Sequence, residues 1–232
     1  ISIIKWNILV FFLRMENVLL SICIPTYNRY KDLKILFNSL KNQKFNNFEL
    51  SIYDDASNDN TKEIIKEFSK LYKIKYLKGK INLGRANALR ESILLSSGKF
   101  IIIMDSDDYF LENSLNDLNI ILQKNISNKI AGFIFLTASS NLSINGKKFF
   151  KNNKVSNMVT YLADENIYGD KKEIILSKII KENLYFNEFN ERRVPTSIIW
   201  LKISMKYDVI CLNKVIAIKN YYETGMSKNI NK

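Results

Sequence analysis

The sequence predicts an α/β fold with a mostly parallel sheet. Short, continuous apolar runs recur through its first half, as strands buried on both faces require. Segments with apolar residues at helical spacing separate these runs, which makes successive βαβ units. The clearest run is Phe100-Ile101-Ile102-Ile103-Met104, and Asp105, Asp107 and Asp108 follow it directly. In open α/β sheets, the C-terminal ends of strands are where ligands bind.

Each element has its own signal. Residues 18–24 read as a first buried strand, which Pro25 ends. Asn28 is placed to cap a helix whose apolar face is Leu33, Leu36, Phe37 and Leu40. Residues 48–53 form a second strand, followed by the polar run Asp54-Asp55-Ala56-Ser57-Asn58-Asp59-Asn60. Asn60 and Glu63 have capping-box spacing, and Ile64, Ile65, Phe68 and Leu71 continue that helix. A short strand follows at 74–77. A helix over 84–96 turns Ala88, Leu89, Ser92 and Leu95 inward, and Gly98 breaks it before the strand at Phe100. Beyond these lie a helix over 115–122 and a strand over 130–136. The pattern then loosens. Residues 171–180 and 196–205 read as helical, and 209–212 and 215–218 as short strands.

Composition narrows the chemistry. The 232 residues are 47% hydrophobic, enough for a sizeable core. Only 7 Gly and 2 Pro are present, so no flexible linker is expected. Histidine is absent, which excludes Ser-His-Asp and Cys-His catalysis and the usual zinc sites. Acid–base work then falls to Asp, Glu, Lys, Tyr or Cys. Cys23 and Cys211 lie apart in apolar stretches and read as buried thiols of a reduced, cytosolic protein. The net charge of +12 favours acidic partners: nucleotides, nucleic acid or an anionic membrane.

Residues 1–14 are apolar but broken by Lys5 and Asn7, too short for a membrane span and without a signal-peptide cleavage site. Met15 is read as the true start, with 1–14 an upstream extension. An interfacial anchor is the alternative.

Three polar constellations fall at strand ends: Pro25-Thr26-Tyr27-Asn28-Arg29, Asp54-Asp55 and Asp105-Ser106-Asp107-Asp108. A parallel sheet brings such ends to one edge. A fourth segment, Asn82-Leu83-Gly84-Arg85-Ala86-Asn87, opens a helix and suits an anionic group. Clustered carboxylates favour Mg²⁺ or Mn²⁺, which hold phosphates in turn. The plainer reading of the Asp run, a turn and cap before a helix, stays open on that segment alone.

In combination these blocks resemble family 2 glycosyltransferases of the GT-A fold. The resemblance rests on Ser21 to Arg29; on Gln43, Phe48-Glu49-Leu50 and Asp54 to Asp59; on Asn82-Leu83-Gly84 with Ala86-Asn87; and on Met104 to Asp108 as a DxD motif. It implies a Rossmann-like, mostly parallel sheet flanked by helices, with a smaller acceptor-side region. It also implies one domain over 15–232, with a nucleotide-sugar-binding half over 15–120 and an acceptor-side half over 121–232.

The implied donor is a nucleotide sugar, a UDP-sugar, moved with inversion onto a hydroxyl of a growing surface glycan. Pro25, Thr26, Tyr27 and Arg29 would cradle the nucleotide, and Asp55 would meet its base. Asn82 and Gly84 would join the nucleotide-sugar site, and Arg85 would approach the diphosphate. Asp105 would lie near the ribose and the ion, with Ser106 beside it, and Asp107 would ligate Mn²⁺ or Mg²⁺ directly. Asp54 is expected to be structural, and Asp108 to contact the sugar or cap a turn.

Many relatives carry an acidic residue after a Val-Pro pair. Here that position is Thr196, which cannot serve as a base. Glu191 is the nearest substitute, with Glu188 and Asp170 behind it, although pairing with Arg192 or Arg193 would explain Glu191 equally well. Thr196 also motivates a rival, a non-catalytic nucleotide-sugar binder. An Asp-nucleophile phosphatase is disfavoured by Tyr109 and by the motif's place on the fourth strand. Nucleic acid is not an expected partner, because no recognition motif accompanies the charge. Lys147-Lys148-Phe149-Phe150-Lys151 is either a contact for a membrane or lipid-linked acceptor or a solvated loop. Tyr221 to Ser227 resembles the end of such domains, with Gly225 and Ser227 over the diphosphate. The expected location is cytoplasmic, at the inner face of the membrane if peripheral.

Overall fold

The computed structural model describes residues 18–163, 165–184 and 194–220. Its first half is a run of βαβ units: β1 (Leu20–Thr26), α1 (Tyr30–Leu40), β2 (Phe48–Asp54), α2 (Thr61–Phe68), β3 (Ile74–Lys78), α3 (Arg85–Leu95) and β4 (Phe100–Ile103). β5 (Tyr109–Phe110), α4 (Ser114–Leu122), β6 (Ile130–Ala138), β7 (Lys154–Ser156), α5 (Met158–Ala163), β8 (Lys171–Leu176), α6 (Ser177–Glu182), α7 (Ser197–Ser204) and β9 (Asp208–Ile218) follow. One sheet carries the strands in the order β3-β2-β1-β4-β8-β6-β9-β5, with β7 against β9.

The first four strands pair in parallel. β8 inserts antiparallel between β4 and β6, and β6 returns parallel to β9. Strand alternation sorts the core onto two faces. Ile22, Ile24, Phe100 and Ile102 pack under α1, α2 and α4. Cys23, Ile101, Ile103 and Ile175 pack under α3, α5, α6 and α7. Both cysteines are buried free thiols, and burial pushes each up to about 12.

Several local expectations change. Pro25 does not end β1, which runs on to Thr26. The Cys23 carbonyl accepts Met104 N–H at 2.9 Å, so the absent N–H of Pro25, two residues on, faces the side where β4 has stopped. Asn28 does not cap α1; its Oδ1 accepts Asn58 N–H at 2.9 Å and stitches two turns together. Asn60 makes no side-chain cap either. Asp59 caps instead, accepting Tyr30 N–H at 3.1 Å and Thr61 N–H at 3.0 Å. α2 ends at Phe68, which leaves Leu71 exposed.

Residues 171–176 form strand β8, and only 177–182 are helical. The two short strands expected over 209–218 are one strand, bulged where Phe135 and Leu136 face Leu212 and Val215. Asn213, in that bulge, binds both backbone groups of Phe149 at 2.8 Å. Phe149 therefore sits in the core while Phe150 is exposed. No helix among the described residues is long and apolar enough to cross a membrane.

Candidate active site

The turns after β1 and β2 form one unit. Asn28 N–H donates to Ser57 Oγ at 2.8 Å, alongside the Asn28–Asn58 bond. Asp54 is fully buried. It accepts Ser57 N–H at 2.7 Å and the Tyr76 hydroxyl at 2.9 Å, so its work is structural. Asp55 accepts Leu83 N–H at 2.9 Å on one oxygen and Gly84 N–H at 2.6 Å on the other. Gly84 lies at φ 97°, a conformation that favours glycine, and α3 starts at the next residue. The Asp55 tether thus fixes where Arg85 begins.

Arg85 reaches over the end of β4. Its Nη2 and Nε donate to Asp105 Oδ1 at 2.5 and 3.2 Å, and its Nη1 donates to Thr196 Oγ1 at 3.3 Å. Lys219, at the end of β9, lies 3.5 Å from both Asp105 and Asp108. Lys172 of β8 pairs with Asp108 at 2.8 Å and donates to the Ile103 carbonyl at 3.2 Å. Burial alone would raise the Asp105 carboxyl, but Arg85, Lys219 and Lys172 outweigh it and hold the group well below the usual range. Asp107 goes the other way. Burial and the like charges of Asp105 and Asp108 push it up, with Arg29 only 3.8 Å away in partial compensation.

These groups line a cleft of about 1310 Å³. Pro25, Thr26, Tyr27, Arg29, Asp55, Arg85, Asp105, Ser106 and Asp107 all face it. Two expected residues do not: Asn82 and Gly84 are not on its lining, and the backbone of that loop holds Asp55 instead. Asp108 also lines the cleft, at its floor, where Lys172 holds it. Glu191, Glu188 and residues 221–227 lie outside the described residues, as do residues 1–14.

The sequence reading missed Lys172, Glu173, Tyr161, Trp200 and Lys219, which also line the cleft. Lys172 and Glu173 lie in the segment read as helical. The β-branched pair Ile174-Ile175 was the available signal for a strand.

The Glycosyl transferase family 2 profile matches residues 21–166, from β1 through the Asp105–Asp108 turn and beyond. The chain belongs to glycosyl transferase family 2. An Escherichia coli relative is the UDP-Glc:alpha-D-GlcNAc-diphosphoundecaprenol beta-1,3-glucosyltransferase WfgD. It is 36% identical over 114 residues, covering 49% of this chain and 45% of the relative. The chain therefore spans less than half the length of that curated relative. Among solved structures, Staphylococcus aureus TarS 1–349 in complex with UDP-GlcNAc superposes with a TM-score of 0.71 at 21% identity, covering 91% of this chain and 61% of that 1–349 chain. The mannosyltransferase PcManGT from Pyrobaculum calidifontis, in complex with GDP-Man and Mn²⁺, gives 0.62 at 13% identity, covering 96% of this chain and 65% of that one. The fold is thus GT-A.

For a family 2 glycosyl transferase the fit of a divalent ion has to be tested on the carboxylates present. No group of three His, Cys, Asp or Glu residues among those described is placed to hold a metal by itself. Asp105 and Asp108 are already engaged by cations. Asp107 is the carboxylate whose environment is short of positive charge, and it is a quarter exposed. Mg²⁺ and Mn²⁺ are commonly held by one or two carboxylates together with substrate phosphates. The residues fit an ion that arrives with a diphosphate on Asp107.

Proposed function

We propose that this chain transfers a sugar from a nucleotide donor, a UDP-sugar, to a hydroxyl of a growing surface glycan, with inversion at the anomeric carbon. The observation that carries the reading is the convergence of three strand ends on one cleft, with Arg85 anchored across it on Asp105. WfgD, named for UDP-Glc and an undecaprenol-linked acceptor, and TarS, solved with UDP-GlcNAc, support the uridine donor. PcManGT, solved with Mn²⁺, supports a divalent ion.

In this reading Pro25, Thr26, Tyr27 and Arg29 cradle the nucleotide. Asp55 offers the base its second lone pairs, since its first are held by Leu83 and Gly84. Asp105 and Ser106 meet the ribose, while Arg85 and Lys219 place positive charge near the diphosphate. Asp107 would hold the Mn²⁺ or Mg²⁺. A bound divalent ion supplies charge neutralisation to the departing diphosphate. Residues 15–120 carry the donor and 121–232 the acceptor, which is glycan or lipid-linked. The protein works in the cytoplasm or at the inner face of the membrane. Glu191 remains the sequence's candidate for the base.

A second reading, a nucleotide-sugar binder without turnover, is favoured by one observation. Thr196 stands at the expected acidic position, and its hydroxyl is spent on Arg85.

Calorimetric titration with UDP, and with GDP as control, with and without Mn²⁺, tests the donor site. Wild type is expected to bind UDP in a Mn²⁺-dependent manner, and Asp107→Ala to lose at least about tenfold in affinity. Absence of binding to either nucleotide sinks the reading. Binding without transfer or donor hydrolysis selects the binder.

A further inference from the structure

We propose that Glu173 is the base that accepts the proton of the attacking hydroxyl, an inference that rests on the sugar-transfer reading above. Thr196 cannot do this work. Asp170 on the same lining is half-exposed and faces Lys219 at 4.0 Å, and the three carboxylates of the Asp run are committed elsewhere. Asp105 is tied to Arg85 and Lys219, Asp108 to Lys172, and Asp107 belongs to the diphosphate end.

Glu173 differs from all of them. It lines the same cleft, partly accessible, and no other described residue forms a hydrogen bond or ion pair with its carboxylate. Its position follows from strand register. β4 and β8 pair antiparallel with Ile102 opposite Ile174, so Glu173 falls opposite Ile103, two residues before Asp105. It alternates with Lys172 and Ile174 and therefore shares the face of Ile175, under α3, α5 and α7. That is the side from which Arg85 and Thr196 approach Asp105. A sugar whose diphosphate lies toward Asp107 and Arg85 would thus present its anomeric carbon between the Asp run and Glu173.

The electrostatic setting agrees. Burial pushes the Glu173 carboxyl from 4.5 to about 7, and Asp170 adds to the rise while Lys172 and Lys219 oppose it. Lys171 lies on the same strand, and Tyr161 faces it from α5 with a phenol that stays protonated. Its neighbours across the sheet, Ile103 and Ile134, carry no charge. A base is most effective when its pKa lies near the working pH.

The step balances simply. The acceptor oxygen forms a bond to the anomeric carbon as its proton passes to a Glu173 carboxylate oxygen. The bond from the anomeric carbon to the diphosphate breaks, and its electron pair leaves on the β-phosphate oxygen.

The test uses the whole chain, with UDP-sugar turnover measured on a panel of acceptors and on water, beside UDP calorimetry. E173Q keeps the shape and removes the proton acceptor. It is expected to lower kcat by about 10² to 10³, with UDP affinity within about threefold of wild type. The wild-type rate is expected to rise through about pH 7, and E173Q to lack that limb. E173A is expected to recover part of its rate when formate is supplied, a rescue that a purely structural role would not give.

Full activity in E173Q, or an unchanged pH profile, overturns the proposal; loss in E191Q but not in E173Q returns the base to Glu191. Wild type that binds UDP yet turns over no donor, even to water, overturns the proposal while leaving the donor site intact. Failure to bind UDP overturns the underlying reading itself.

Discussion

Lys172 and Asp108 illustrate how the site is held residue by residue. Their side chains are only 5% and 1% exposed, and 2.8 Å separates Nζ from Oδ2. The lysine also donates to the Ile103 carbonyl, while Asp108 Oδ1 is buried with no hydrogen-bond partner among the described residues. Such a pair contributes little when both charges are present, yet removing one strands the other in a low dielectric. Lys219, 3.5 Å from Asp108, compensates part of the charge left behind. Lys172→Met should therefore cost about 3 kcal/mol, the low end for a broken buried pair, read as a lower urea midpoint at unchanged slope. The Asp run was legible from sequence because its residues are contiguous and follow an apolar strand. Lys172 was not, because its partner lies 64 residues away and its own segment was assigned the wrong period. Local pattern shows where carboxylates gather; it does not show which distant cation neutralises each of them.

At the scale of elements, Asp59 does the work of two caps. One oxygen accepts the Tyr30 N–H at the start of α1, and the other accepts the Thr61 N–H at the start of α2. Arg29 N–H meets Thr61 Oγ1 at 3.2 Å beside them. The loop carrying Tyr27 and Arg29 is therefore anchored to the helix that follows β2. Asp59→Ala should lose both caps, about 1–2 kcal/mol. Asp59→Asn, with a single acceptor oxygen, should fall between Ala and wild type in thermal unfolding. If Asn and Ala behave alike, the two-helix role is wrong. The spacing of Asn60 and Glu63 pointed to a cap one residue away, since a capping box is a rule internal to one helix. A cap whose acceptor lies 29 residues from the N–H it holds has no local signature. The four parallel strands, by contrast, could be read directly, because strands buried on both faces leave continuous apolar runs.

Across the whole molecule, the second half was harder to read for a topological reason. β8 enters the sheet between β4 and β6, running against both, and carries charge at Lys171, Lys172 and Glu173. A strand that supplies the floor of a cleft cannot be apolar throughout, so its sequence departs from the pattern that identifies its neighbours. That charge also shapes how stability depends on pH. Burial alone would raise Glu49, but Ser97, Ser21 and Lys75 outweigh it and hold its folded value below the ordinary 4.5. Asp105 and Asp59 are likewise held below 3.8. These groups contribute stability above about pH 4.5 that is lost as the pH falls through their folded values.

Glu173 acts in the opposite sense. Its folded value is about 7 against 4.5 unfolded, so between those limits the native state holds a proton that the unfolded chain releases. Stability therefore falls as pH rises across that window. Asp107, raised by burial and by its acidic neighbours, acts in the same sense. The ligand-free protein should be most stable near pH 5, with the fall to pH 8 carrying on the order of 2 kcal/mol from Glu173. Urea unfolding across pH 4 to 8 reads this directly. E173Q should flatten the upper limb and leave the acid limb in place. An unaltered upper limb in E173Q would mean that the carboxylate is solvated like an ordinary surface acid. The same residue then offers one measurement of stability and one of turnover, and agreement between them would tie the cost of burying the carboxylate to its use as a base.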